Sequence, residues 1–284
     1  MTEESPLESW TAGEPYERYM GRWSRKVAAR FLPWLGVGAE ARWGDVGCGT
    51  GTLIETILQQ HDPASVAGLD RSAGYVAHAR TRLQGPRVRL AIGDATALPW
   101  KDYVFDATVC GLLLNFLPDA DLAIREMARV TTPGGKVAAY VWDYSGGMEM
   151  MRHFWDAAVA LRSETAALDQ GERFPLCQPE ALKALLMQAG LQAVEVCGID
   201  IETPFRNFDE YWQPFLGGQG AAPSYVVALQ EHARRQLREA LRQRLPVAAD
   251  GSIQLHARAW AVKGTSLGGQ ARKEGVRSPL TTPA

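Results

Sequence analysis

The chain has 284 residues, 46% of them hydrophobic, with 30 Lys and Arg against 32 Asp and Glu for a formal net charge of -2. That apolar content excludes a disordered chain, and the charge balance leaves no global field to recruit nucleic acid or an anionic membrane. The longest apolar stretches, Val137 to Trp142 and Ala107 to Leu114, fall far short of the ~18 residues of a spanning helix.

From Glu14 to Leu35, Tyr16, Tyr19, Met20, Trp23, Val27, Phe31 and Leu35 recur at helical spacing, which predicts an amphipathic helix broken at Gly21. Ala41 to Val46 reads as a first strand, followed by a glycine-rich turn and a helix from Gly51 to His61. Ser65 to Leu69 is a second strand ending in Asp70, and Ser72 opens a helix to Leu83. Val88 to Ile92 is a third strand, and Phe105 to Leu113 a fourth, apolar enough to be buried on both faces. A helix from Pro118 to Val130 precedes a fifth strand, Val137 to Val141. Strands alternating with long helices indicate crossover units and a doubly wound, mostly parallel α/β sheet.

After Asp143 the texture changes to helix-prone sequence as far as Gly190. Leu191 to Ile201 and Ile253 to Val262 read as two more strands, with an aromatic stretch and an arginine-rich helix, Ser224 to Leu245, between them. With no internal repeat and no sharp linker, residues 1–263 read as one domain carrying insertions at 144–190 and 203–250. Residues 264–284, polar and rich in Gly, Ser, Thr and Pro, read as a disordered tail. The acidic opening MTEESPLESW lacks the apolar run of a leader. Four scattered cysteines without a Cys-x-x-Cys pair suit a reducing cytoplasm better than a zinc site or disulfides.

Asp45-Val46-Gly47-Cys48-Gly49-Thr50-Gly51 follows a strand and opens a helix, the place where α/β sheets bind ligands. Its spacing departs from the dinucleotide fingerprint: counted from Gly47, the sixth position is Thr52, and the third glycine comes at the fifth. Asp70 and Asp94 end the second and third strands as Asp45 ends the first. Three acidic residues at one sheet edge, with no Lys or Arg in the turn, suit a nucleoside whose linker is positive or uncharged. For two of them a plainer role stands beside this one: Asp45 as a cap on the next helix, Asp94 as the start of a turn.

Together with Gly93-Asp94-Ala95 through Pro99, Phe105-Asp106 and Pro133-Gly134-Gly135, these motifs resemble the class I S-adenosylmethionine-dependent methyltransferases. The likeness is strongest to the branch that includes the ubiquinone and menaquinone biosynthesis methyltransferases, and it spans Trp43 to Val141. It implies a Rossmann-like sheet of seven strands, the last antiparallel, with residues 14–35 as a lid helix. It also implies S-adenosylmethionine as cofactor, with Gly47, Gly49 and Gly51 against the methionine part, Asp45 near its amino group and Asp70 on the ribose hydroxyls. Arg71, Asp94 and Ala95 would surround the adenine, and Cys110 would sit near the sulfur. Arg22 would hold the cofactor carboxylate, or else stand as a solvated helix-face arginine.

A sulfonium donor is already activated, so transfer needs an oriented nucleophile in a dry site and no catalytic side chain is assigned. Asn115 replaces the histidine that many quinone-type relatives carry, which leaves His153 as the nearest alternative base. Tyr19, Trp23, Trp142 and Trp155 are candidate walls of an aromatic acceptor pocket, or else core packing. The expected partner is a small molecule, with no metal, nucleic acid or membrane, for a monomer or homodimer. The alternative is a non-catalytic relative that binds the nucleoside and acts through a protein partner. Gly217-Gly218-Gln219 is a chance match to a peptide-release loop, and the arginines from Arg234 to Arg244 read as a solvated helix face.

Overall fold

A computed structural model describes residues 17–218 and 220–268. The readings placed on Glu14 to Tyr16, on Gln219 and on 269–284 fall outside them. A π-helical turn, Glu17–Gly21, leads into α1 (Arg22–Leu35), so the break expected at Gly21 is a change of winding. The helix ends where Gly36 turns left-handed (φ 67°) and its N–H bonds back to the Pro33 carbonyl. There follow β1 (Arg42–Val46), α2 (Thr52–Gln60), β2 (Ser65–Asp70), α3 (Ala73–Arg82) and β3 (Val88–Ile92). Next come β4 (Phe105–Gly111), α4 (Ala120–Val130) and β5 (Thr131–Trp142). Side-chain caps fix two starts: Ser72 accepts from the Tyr75 N–H at α3, and Asp119 from the Leu122 N–H at α4. The second half comprises α5 (Glu149–Leu161), α6 (Gln170–Arg173), α7 (Pro179–Gln188), β6 (Gln192–Glu202), α8 (Phe208–Trp212), α9 (Ala221–Ala228), α10 (Glu231–Arg244) and β7 (His256–Thr265).

The seven strands lie in the order β3-β2-β1-β4-β5-β7-β6. β1 to β5 pair in parallel, and β7 runs antiparallel to both β5 and β6, as the family resemblance implies. The order reverses at β1, which has β2 on one side and β4 on the other. The carboxyl ends of β1 and β4 therefore frame the crevice where such sheets take ligands. Alternation along β5 separates two apolar clusters. Ala138, Tyr140 and Trp142 join one with Trp23, Phe31 and Phe154, and Val137, Ala139 and Val141 join the other with Ile124, Met127 and Leu186.

Several boundaries differ from the sequence reading. The helix expected over Ser224 to Leu245 is two helices, because the Arg234 guanidinium bonds the carbonyls of Val226, Val227 and Leu229 and closes α9 there. The last strand begins at His256, since Ile253 makes only isolated bridges to Phe205 and Val247. That strand also takes Gly264 and Thr265 out of the tail, and buried Ser266 exchanges backbone hydrogen bonds with Gly134 and Gly135. Pro133-Gly134-Gly135 accordingly lies inside β5, and a register shift between Phe105 and Ala107 absorbs it.

α1 crosses one face of the sheet, with its Phe31 ring 4.9 Å from that of Tyr140 on β5, and reaches the β6 edge. Lys26 donates to the Glu202 carbonyl (2.8 Å) and Arg30 to that of Asp200, both on β6. The arginines of α10 lie along its outer side, with Arg235, Arg242 and Arg244 exposed, and they make surface contacts to the insertion: Arg238 bonds Asp209, Arg242 stands 4.4 Å over the Phe208 ring and Arg244 pairs with Asp156. Among the described residues no helix is long and apolar enough to cross a membrane.

Candidate functional site

The turn after β1 is stapled to its neighbour, with the N–H groups of Gly47 and Cys48 both donating to the Leu69 carbonyl (2.7 and 3.0 Å). Gly47 (φ 75°) and Gly51 (φ 89°) are left-handed, and a Cβ on Gly47 would stand 2.6 Å from a Leu113 methyl. Only glycine meets both demands. Gly49 donates its N–H to one oxygen of Asp70 (2.9 Å) and Ser72 donates to the other (2.8 Å). Asp70 thus ties the glycine turn to the start of α3. Its burial pushes the carboxyl up, and the two amides offset this in part.

Asp45, paired in β1 between Gly68 and Val109, is buried to 1% exposure, and neither carboxylate oxygen has a hydrogen-bond partner. Burial first, and then Asp70, push its pKa up to about 8. It does not cap α2, whose N-cap position is Gly51 and carries no side-chain bond. The carboxyl faces a cavity of about 40 Å³, walled also by Ser24, Gly49, Thr52, Leu112 and Tyr140. That volume holds a few waters. No Lys, Arg or His lines it. A buried acid without a donor, beside a second acid, suits a ligand that brings a positive N–H group of its own.

The other expected cofactor contacts are placed unevenly. Asp94 is exposed and folds a turn, accepting from the N–H (2.8 Å) and hydroxyl (2.7 Å) of Thr96, which holds its carboxyl below the ordinary value. Exposed Arg71 interacts electrostatically with Asp94 and Asp70, and Ala95 is buried beside them. The Cys110 thiol does not line the cavity. It is enclosed in the apolar cluster under α4, and burial raises its pKa. Arg22 does not reach the turn either. Two residues from Ser24, it points about 200° around the helix, where Nη1 meets Glu210 at 3.0 Å and the guanidinium stands 4.2 Å over Trp23 and 4.9 Å over Phe205. It serves as a fastening between lid and insertion, and neither the carboxylate partner nor the solvated arginine of the sequence reading describes it.

Tyr19, Trp23, Trp142 and Trp155 are all buried in one aromatic cluster. Tyr19 donates its hydroxyl to the Met151 sulfur (3.0 Å), and the Trp155 indole N–H bonds Gln170 (2.9 Å). The indole N–H groups of Trp23 and Trp142 are buried without partners. Asn115 donates to the Cys177 sulfur at 3.5 Å, and its own carbonyl oxygen is buried unpaired. His153 is not brought to this cluster. It shares the other side of α5 with Glu149, Asp156 and Arg244, and burial lowers its pKa. Ser24, Leu53, Gly111, Leu112 and Tyr140 are among the cavity residues that escaped the sequence reading. Ser24 carried a signal, being the polar residue on the buried stripe of Met20, Val27 and Phe31. Leu112 (φ 61°) and Tyr140 carried none, because both read as ordinary strand residues.

A methyltransferase-domain family model matches residues 44–135. The chain is 31% identical over 178 residues to the 2-phytyl-1,4-naphtoquinone methyltransferase of Thermosynechococcus vestitus, covering 58% of this chain and 78% of that one. It is 38% identical over 103 residues to the demethylmenaquinone methyltransferase of Mycolicibacterium paratuberculosis, covering 36% and 42%. The chain spans about two fifths of the length of the demethylmenaquinone methyltransferases it matches. In fold it is similar to the phosphoethanolamine N-methyltransferase 2 of Haemonchus contortus in complex with S-adenosyl-L-methionine. There the TM-score is 0.55 at 18% identity, over 88% of this chain and 56% of that one. With the sheet order, the glycine turn and a relative matched over most of its length in agreement, the chain belongs to the class I S-adenosylmethionine-dependent methyltransferases.

Proposed function

We propose that this chain transfers a methyl group from S-adenosylmethionine to a small, hydrophobic or aromatic acceptor held under α1 and the β6–β7 insertion. The observation that carries this reading is the aromatic-rich core under α1 and the insertion, in which the indole N–H groups of Trp23 and Trp142, like that of Trp43 on β1, are buried without partners. An acceptor oxygen would satisfy donors that are otherwise costly to bury. Two of the relatives carry the names of naphthoquinone and menaquinone precursors, which supports a quinol-type acceptor.

In this reading Gly47, Gly49 and Gly51 lie against the methionine part, Asp45 takes its ammonium group, and Asp70 accepts from the ribose hydroxyls with the lone pairs its amides leave free. Asp94, held by Thr96, Arg71 and Ala95 border the adenine. When bound, the cofactor would supply a methyl group already activated on a sulfonium, and the acceptor's proton would leave to solvent. The residues of the chain orient and dry the site, effects worth several kcal/mol, and no catalytic side chain is assigned. The protein works in the reducing cytoplasm as a monomer or homodimer, on a small molecule and without a nucleic-acid partner.

The test is a transfer assay with methyl-labelled S-adenosylmethionine over quinols, phenols, amines and carboxylic acids. Label should pass to a hydrophobic aromatic acceptor, and Trp23→Phe should raise its KM. Tight nucleoside binding with no transfer to any class would overturn the reading.

A further inference from the structure

The acids at the glycine turn are asymmetric. Asp70 is held by two backbone amides, whereas Asp45 has no donor at all on either oxygen. Among the described residues, the groups around Asp45 offer it no positive charge. β2 presents Asp70, the turn presents the Cys48 thiol, and β4 presents the Cys110 thiol. Tyr140 of β5 contributes a phenol, and α1 and α2 contribute only the hydroxyls of Ser24 and Thr52. The nearby cations are engaged elsewhere, Arg22 by Glu210, Arg25 and Arg82 by Glu55, while Arg71 acts on Asp70 and Asp94.

A carboxylate in such a place would be buried, unpaired and next to a second carboxylate, the arrangement that most disfavours ionisation. A ligand ammonium changes all three conditions at once, because it brings charge and donors together. We infer that Asp45 stands as the neutral acid in the ligand-free chain and gives up its proton when the α-ammonium of the nucleoside arrives, so that cofactor binding releases one proton. The O–H bond of the acid breaks, the proton leaves to solvent, and the ammonium keeps its own, so the pair that forms is neutral overall. This rests on the cofactor placement proposed above. It assigns recognition of the amino-acid portion to a titrating residue, in addition to the shape of the turn.

The experiment is titration calorimetry at pH 7 in two buffers of different ionisation enthalpy. Its probes are S-adenosylmethionine, S-adenosylhomocysteine and 5′-methylthioadenosine, which lacks the amino acid. Close to one proton should be released with each of the first two and none with the third. Affinity for the first two should rise nearly tenfold per pH unit between pH 6 and 7.5. Asp45→Asn should bind more weakly and release no proton. Since a substitution at this depth risks misfolding, difference infrared on the unmodified protein gives a second readout: the carboxylic-acid C=O band should disappear when S-adenosylhomocysteine is added. Binding without buffer-dependent heat would overturn the inference and leave the cofactor reading intact. So would release with S-adenosylmethionine alone, which would make the sulfonium the displacing charge, or release that persists in Asp45→Asn. Failure of all three nucleosides to bind would overturn both.

Discussion

The recognition proposed for Asp45 comes with a cost to the ligand-free fold, and the two have opposite signs. Its folded-state pKa, about 8, lies above the unfolded value of 3.8. The native state therefore holds the proton more tightly, and stability falls as pH rises through that window by up to about 1.4 kcal/mol per unit. Above about pH 8 the loss is complete and the curve flattens. Asp45→Asn should thus be more stable than the wild type at pH 8 by a few kcal/mol, with the gap closing toward pH 4, as urea unfolding at three pH values would show. Gly47 gives a second prediction at this scale. Alanine there meets both the left-handed φ and the Leu113 methyl, whereas at Gly49 the nearest atom lies 4.0 Å from a Cβ. Both glycines are left-handed (φ 75° and 51°), which costs each alanine about 1–2 kcal/mol, so it is the Leu113 clash that should make Gly47→Ala lower the melting temperature by several degrees more than Gly49→Ala. The glycines and the paired acids were legible in sequence because they end strands. Leu112 was not, because nothing in a leucine announces positive φ.

The elements show where local pattern suffices. β1, β2, β4 and the second half of β5 are read from sequence because mostly buried runs punctuated by turn residues have few other solutions, while the edge strand β3 has no buried residue and is read from its alternation. The break between α9 and α10 is hidden, since Val226, Leu229, Ala233, Leu237 and Leu241 keep helical spacing across it while the cause is where one arginine side chain goes. Arg22 misled for a related reason: its motif position pointed to the cofactor, but its helical phase relative to Ser24 points to Glu210. That pair, about one quarter exposed on each side, is worth at most about 1 kcal/mol. Glu210→Gln should accordingly leave the melting temperature within about 2 °C, yet speed amide exchange in the first two turns of α1 several-fold. Unchanged exchange there would show that the pair does not hold the lid.

For the whole molecule, the proposed cofactor site lies where α1, through Ser24, meets the glycine turn. S-adenosylhomocysteine should protect α1 and α8 from hydrogen exchange together, because both are fastened through Arg22 and Glu210, and leave the α4 side of the sheet unchanged. The lid also has a second tenant. β6 is the terminal strand, and its outward carbonyls at Asp200 and Glu202 are occupied by Arg30 and Lys26 of α1. When the helix lifts, it uncovers a row of unpaired backbone groups, the template on which another chain can add a strand. A helix lifted from β6 would therefore expose an aggregation-prone edge, and a nucleoside that held α1 in place would keep the chain soluble. Light scattering at 37 °C should rise sooner for Lys26→Ala/Arg30→Ala than for the wild type, and saturating S-adenosylhomocysteine should delay both.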